Sequence, residues 1–312
     1  MNRLARIAAL IVPGLMVSAS SLSQGSGDAG LLSSGNVFIL QNPSFSQTSL
    51  GVNGLFSIGG QQTLHYSAVT SAEINIWQGI TLRATVPYHY ISGELANTSG
   101  LGDLRIYFLH SIVDNGKILI NLSLGAAVPS GDANRGLDGK PLPMEYQTSA
   151  GTYSILTDIA FRFHDWKLAV GYQHSFQQNE NEFLYSAWGD DPLITDYPES
   201  NGLSRGDDIL LNLEKAFIRD KASYYLSLLP VYHLDEDEIM KDDVTVHVDG
   251  SDGLILNMAA ASSFSLGKGF YFDLVACAPV VQREVQPDGL KRIFVASAGI
   301  RYVFDDIYNP RP

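Results

Sequence analysis

The sequence predicts an all-β chain, a transmembrane antiparallel up-and-down β-barrel of about 12 strands with short periplasmic turns and longer extracellular loops. Three observations predict it. From about Leu64 onward, stretches of roughly ten residues alternate apolar and polar side chains, the period at which neighbours point to opposite faces of a sheet. The links between the stretches are alternately tiny and long, as in barrels whose turns face the periplasm and whose loops face the exterior. After residue 23 no uninterrupted apolar run reaches the ~18 residues of a membrane helix, so a closed sheet is the remaining way to satisfy the backbone in lipid. A soluble periplasmic or secreted β-protein would also alternate; the apolar face and the unequal links favour the membrane barrel.

The elements follow in order. Met1 to Ser23 carries Arg3 and Arg6, an apolar run from Ile7 to Val17 and then small residues, and reads as a secretory signal peptide cleaved after Ser23. No Cys lies near that junction, so a lipid-anchored N-terminus is not expected. Residues 24–48 are expected to form a periplasmic or luminal segment, 49–304 the barrel and 305–312 a tail. The weak Leu50 to Ile58 stretch is the first strand. In Leu64 to Ile76, Leu64, Tyr66, Ala68, Ala72, Ile74 and Ile76 share one face and His65, Ser67, Ser71, Glu73 and Asn75 the other.

After a three-residue link the pattern resumes with Ile80, Leu82, Ala84, Val86, Tyr88 and Tyr90 outward. It repeats at Leu104, Ile106 and Phe108 (opposite Asp103, Arg105 and Tyr107), through Asp114-Asn115-Gly116 to Ile118–Val128, then from Tyr153 to Phe163 and from Trp166 to Gln177. Hairpins from Asp208 to Leu234 and from Leu254 to Val281, and a last strand from Arg292 to Phe304, bring the count to twelve with the first strand included. An even number is what single-chain bacterial barrels have, and it puts both termini at the periplasmic end.

Aromatic residues cluster where the membrane interfaces should lie. Trp77, Phe163, Trp166, Phe270, Tyr302 and Phe304 sit near the short-turn ends, with Tyr88, Tyr90 and Tyr232 toward the other. Two girdles of amphipathic rings are implied; aromatics packed in a soluble sandwich are the competing reading.

Three short motifs carry a family resemblance. They are Ser99-Gly100-Leu101-Gly102-Asp103-Leu104 entering the third long strand after the first, Pro129-Ser130-Gly131-Asp132 leaving the next, and Ala150-Gly151-Thr152-Tyr153-Ser154 entering the one after. In order and spacing they resemble the outer-membrane family labelled MetA-pathway of phenol degradation. The resemblance implies a barrel of about twelve strands proposed to pass small, often hydrophobic or aromatic molecules across the outer membrane. By their chemistry alone, Gly100, Gly102, Gly131 and Gly151 need no ligand: strand ends, bulges and positive φ favour glycine.

The inward positions are unusually charged: Glu73, Arg83, Asp103, Arg105, Asp158, Arg162, Asp208, Glu214, Asp273 and Arg301. If the link after Ile76 has three residues, Ile76 pairs with Ile80 and Glu73 falls opposite Arg83, an ion pair across strands. Mixed charge would brace a narrow, side-chain-filled barrel or line a conduit whose field selects solutes; bracing is favoured. The net charge is -13, and the run Asp235-Glu236-Asp237-Glu238 with Asp242, Asp243, Asp249 and Asp252 reads as a solvated face, since its spacing fits no calcium loop. Tyr185, Trp188 and Tyr197 flank the Asp190-Asp191-Pro192 loop and suit an inward plug, a landing for an apolar substrate or a packed lid.

Enzyme classes find little support. A barrel lipase, deacylase or protease needs His beside a Ser nucleophile or an Asp pair, and no motif ties His89, His174 or His233 to one. Lone Cys277 reads as a packing residue, and no metal-ligand spacing, phosphate loop or basic stripe for nucleic acid is present. The sequence therefore leads to an outer-membrane, porin-like channel or transporter with no cofactor, no metal and no catalytic residue. Its expected partners are membrane lipid, lipopolysaccharide, a small apolar solute and the outer-membrane assembly machinery. A closed structural or surface-interaction barrel is the rival.

Overall fold

Each alternating stretch of the sequence is a strand in the computed structural model, which describes residues 48–77, 79–189 and 191–304. The expected signal peptide, the tail and nearly all of the segment before the barrel lie outside the described residues. The long strands are β1 (Ser49–Gly59), β2 (Leu64–Trp77), β3 (Ile80–Ser92), β4 (Leu104–Asp114), β5 (Ile118–Val128) and β6 (Ser154–Phe163). They continue as β7 (Trp166–Ser175), β8 (Asp208–Ile218), β9 (Ala222–His233), β10 (Gly253–Gly267), β11 (Phe270–Val281) and β12 (Arg292–Val303).

Every strand pairs antiparallel with its neighbours in the chain, and the sheet closes where β1 meets β12, from Ser49 opposite Val303 to Ile58 opposite Phe294. Closure removes both sheet edges, so the backbone is hydrogen-bonded all the way round. The period-two sequence then sorts itself by face. On β7, Lys167, Ala169, Gly171 and Gln173 are buried while Trp166, Leu168, Val170 and Tyr172 are exposed. An outer wall of exposed Leu, Ile, Val and Phe is intelligible only where the surroundings are lipid.

The two- and three-residue links sit at one end of the barrel. His164, in the two-residue link between β6 and β7, takes φ 52°, a left-handed conformation whose twist suits a tight hairpin. After β2 the structure departs from the expected link: the strand runs on to Trp77, which pairs with Ile80, and the register shifts between Asn75 and Trp77. Ile76 therefore does not face Ile80, because the bulge absorbs one residue that the three-residue link had assigned to the turn.

Proline marks a second irregularity. β3 pairs with β4 only from Ile80–His110 to Thr85–Arg105. Two residues on, Pro87 has no N–H to give, although its carbonyl still accepts the Gly102 N–H at 2.9 Å. Beyond it, β3 takes a different partner, the short return strand Asn97–Leu101. Asp103 consequently lies in the connection before β4 and not on the strand, where alternation had put it.

The long loops all gather at the other end. A small hairpin, Glu238–Lys241 with Val244–His247, stands in the β9–β10 loop. In the β5–β6 loop every residue from Leu142 to Ser149 is buried, as is every residue from Gln286 to Leu290 in the β11–β12 link. The two buried segments meet: Gly289, at φ +70°, lies directly against the backbone of Met144 and Glu145, where no Cβ would fit.

Candidate functional site

The inward faces of the twelve strands and the loops folded over their far end form the candidate site. Deep in the barrel, charges meet across neighbouring strands. Glu73 on β2 faces Arg83 on β3, with Oε1 2.5 Å from Nη2. On β11 and β12, Asp273 accepts from Arg301 Nε at 2.9 Å, and Ser263 of β10 donates to Asp273 at 2.6 Å. On β7 and β8, Lys167 donates to Glu214 at 3.0 Å, with both side chains at most 4% exposed. Arg162 stands beside this pair, opposite Lys167 in register. Asp158 and Arg105 are buried higher in the wall, facing Ser123 and Ala127 respectively.

At the mouth a second network ties three chain segments together. Arg205, just before β8, reaches Asp208 at 3.2 Å and Asp288 at 3.0 Å. His233 at the top of β9 lies between Asp208 (2.6 Å) and Asp237 (2.9 Å). Arg283 closes the circuit to Asp288 at 3.1 Å and to Asp237 at 3.5 Å. Burial by itself would raise the Asp288 carboxyl, but the Arg283 and Arg205 guanidiniums hold it below the usual carboxylate range.

Of this network the sequence singled out Asp208 and placed His233 in the lumen. Arg205, Arg283 and Asp288 lie in loops, where no periodicity betrays burial. Asp237 corrects an expectation: it was read as part of a solvated run, yet it is fully buried, because His233 and Arg283 compensate its charge.

The three sequence motifs converge at one place. Ser130 donates to the Gly102 carbonyl at 2.6 Å and accepts from Leu104 N–H at 3.1 Å, joining the first motif to the second. Asp103 accepts from Ser149 at 2.5 Å and from the Ala150 N–H at 3.1 Å, joining the first to the third. Burial raises the Asp103 carboxyl above its ordinary range despite these bonds. Beneath them lies a cavity of about 20 Å³ lined in part by Asp103, Arg105, Gln173 and Arg205, about the size of a single water.

Above the network the loop tyrosines pack as a lid. Tyr146 and Tyr197 share a hydroxyl contact at 3.0 Å, and both pack with Ile91, Leu142, Phe183 and Ile194. Tyr185 donates to the Tyr197 carbonyl at 2.8 Å, and Trp188 Nε1 to the Pro141 carbonyl at 2.7 Å. The aromatic side chains of the outer wall point away from the lumen: Trp77, Tyr88, Tyr90, Phe163, Trp166 and Phe270 are exposed, Tyr302 and Phe304 partly so. Phe270 packs tilted against Tyr302 with ring centroids 4.7 Å apart, and Tyr302 meets Phe304 edge to face at 4.8 Å.

Two histidines do meet side chains that hydrolases use. Ser67 and His89 are hydrogen-bonded inside the lumen, and His174 Nδ1 lies 2.6 Å from Asp207 on the outside. In the first pair, His89 Nε2 has no hydrogen-bond partner, and Gly102 packs against it. A carboxylate to orient the imidazole, as a Ser-His-Asp relay requires, is therefore not at that nitrogen.

No family model matches the chain, and no curated protein matches it. Among solved structures it is similar to the COG4313 outer membrane channel from Pseudomonas putida F1, with 13% identity and a TM-score of 0.62 over 87% of this chain and 99% of that one. A looser likeness, with a TM-score of 0.47 at 9% identity, is to the NanC porin, over 81% of this chain and 98% of that one. Another is to the outer membrane phospholipase A from Escherichia coli, with a TM-score of 0.39 at 10% identity over 90% and 97%. The fold is that of an outer-membrane barrel. With its closed twelve-stranded sheet and apolar outer wall, the chain is a protein of the Gram-negative outer membrane.

Proposed function

We propose that the barrel is a passive channel or transporter admitting a small neutral molecule of hydrophobic or aromatic character, with no catalytic step and no bound cofactor, in the manner of the MetA-pathway of phenol degradation family that its motifs resemble. The observation that carries this reading is the pairing of the luminal charges. Glu73–Arg83, Asp273–Arg301 and Lys167–Glu214 neutralise one another within the wall. A paired interior offers little net field to attract or repel an ion, which suits an uncharged solute. Lipopolysaccharide and membrane lipid would contact the apolar wall and its aromatic girdles, and the assembly machinery would insert the barrel.

One specific observation favours the rival, a closed structural barrel: the complete burial of Leu142–Ser149 and of Gln286–Leu290 at the mouth. Flux decides between them. Proteoliposomes loaded with a neutral aromatic solute such as phenol-sized alcohols, and in parallel with benzoate and an aromatic amine, are expected to release the neutral compound faster than protein-free vesicles. Deleting residues 142–149 should accelerate release further. Rates equal to those of protein-free vesicles, for the parent and for the loop deletion alike, would overturn the channel reading in favour of the closed barrel.

A further inference from the structure

Outside the lumen, at the extracellular rim, lies a cleft of about 390 Å³ that the passage reading does not use. It is within the range of small-molecule sites. Three distant parts of the chain build it: Gln61 and Gln62 of the β1–β2 link, Ser92 to Glu94 at the end of β3, and Leu193 to Tyr197 of the β7–β8 loop. Leu64 and Ser92, paired across β2 and β3, occupy outward positions, directly above the ring ladder Phe56, Tyr66 and Tyr90 on the outer wall. The cleft therefore opens at the level of the lipid headgroups.

Its walls are fixed. The β1–β2 link is held by Gly59 N–H to the Thr63 carbonyl and Gly60 N–H to the Lys291 carbonyl, both at 2.7 Å. On the opposite side Tyr197 is anchored by Tyr146 and Tyr185. Across the cleft, Gln61 Nε2 donates to the Asp196 carbonyl. That bond leaves the other half of the carboxamide, Gln61 Oε1, buried with no partner.

The lining groups define what an occupant must offer. Glu94 and Asp196 bring carboxylates, which are acceptors only, while the Ser92 hydroxyl and the Gln62 carboxamide both accept and donate. Leu64, Leu193 and Tyr197 supply apolar surface beside them. A simple anion is disfavoured by the two carboxylates, and a purely apolar solute would leave the polar lining of Gln62, Ser92 and Glu94 without partners. A ring bearing several hydroxyls meets every demand: its O–H groups both donate and accept, and its C–H face covers Leu193 and Tyr197. We propose that this cleft binds a neutral, polyhydroxylated, sugar-like group, supplied either by a lipopolysaccharide saccharide or by a free saccharide in the medium. The site stands whether or not the barrel conducts.

The test uses the full barrel in phospholipid nanodiscs free of lipopolysaccharide, titrated calorimetrically with glucose, galactose, N-acetylglucosamine and a maltotriose probe, with propylammonium and benzoate as controls. Two variants accompany it. Gln61→Gly deletes the carboxamide at a position whose φ of 47° glycine adopts readily, and Leu193→Trp fills the cleft. Saturable binding of at least one saccharide, weakened at least tenfold in both variants while their heat-modifiable gel mobility stays that of the parent, supports the site. Nanodiscs carrying rough lipopolysaccharide separate the sources: loss of free-saccharide binding there marks the lipid-borne sugar as occupant, and unchanged binding marks the free one. No saccharide bound by the parent, binding insensitive to Leu193→Trp, or binding of propylammonium alone would each overturn the proposal.

Discussion

Lys167 and Glu214 show most sharply how the interior is balanced. Both are almost fully enclosed, 3.0 Å apart, and each would be expensive to bury without opposite charge nearby. Glu214→Ala strips Lys167 of its carboxylate and is expected to cost about 3 kcal/mol in urea unfolding from detergent micelles, whereas the double variant Lys167→Met with Glu214→Leu should recover most of that loss. Much of this was legible in the sequence, because alternation alone sends residues 73, 83, 214, 273 and 301 inward. Register is harder to read. Glu73 does fall opposite Arg83, but through a bulge at Ile76 that pattern cannot reveal, since one extra residue in a strand leaves no mark on composition. Nor could alternation show that Lys167, and not Arg162, is the partner of Glu214, because both point inward from adjacent strands.

At the scale of the element, the buried β5–β6 segment holds a carboxylate under tension. Glu145 is only 2% exposed, and burial pushes its carboxyl up from the ordinary 4.5 to about 7, with Asp288 adding to the rise. The docked segment thus holds a proton that the free segment gives up. Docking is strongest below pH 4.5 and weakens as pH rises from 4.5 to about 7, after which the loss levels off. At about 1.4 kcal/mol per pH unit across that window, the change amounts to roughly 3 kcal/mol. The protection factors of the 142–149 amides, taken against the intrinsic exchange rate at each pH, should fall over that pH range in the parent and stay flat in Glu145→Gln. Equal pH dependence in both would place the titration elsewhere. The loops were the least legible part of the sequence, since burial of Leu142–Ser149 depends on partners more than a hundred residues away, such as Gly289, which no local period encodes.

For the whole molecule, the division between a lipid-facing exterior and a charged interior governs tolerance to change. Leu213 lies on the outer face of β8 and is 44% exposed; its neighbour in sequence, Asn212, is fully buried on the inner face. Leu213→Arg should cost about 2–4 kcal/mol in folding into phospholipid vesicles, as an Arg near the bilayer midplane does. The same substitution in a soluble β-sandwich would be nearly silent, so the measurement also tests the environment. Strand number and faces were readable because both are properties of periodicity. The mouth network was not, because Arg205, Asp237, Arg283 and Asp288 come from three separate loops.

Two of those four, Arg283 and Asp288, sit in the link between the last two strands. His233 and Arg205 wait on earlier ones. The cover of the mouth can be completed only when the C-terminal hairpin is in place, so a chain truncated before β11 would leave Asp208, His233 and Asp237 facing one another with a single cation among them. Seating of the cover thus waits on the last hairpin of the barrel, and a barrel lacking that hairpin would be expected to expose an acidic, protease-accessible mouth.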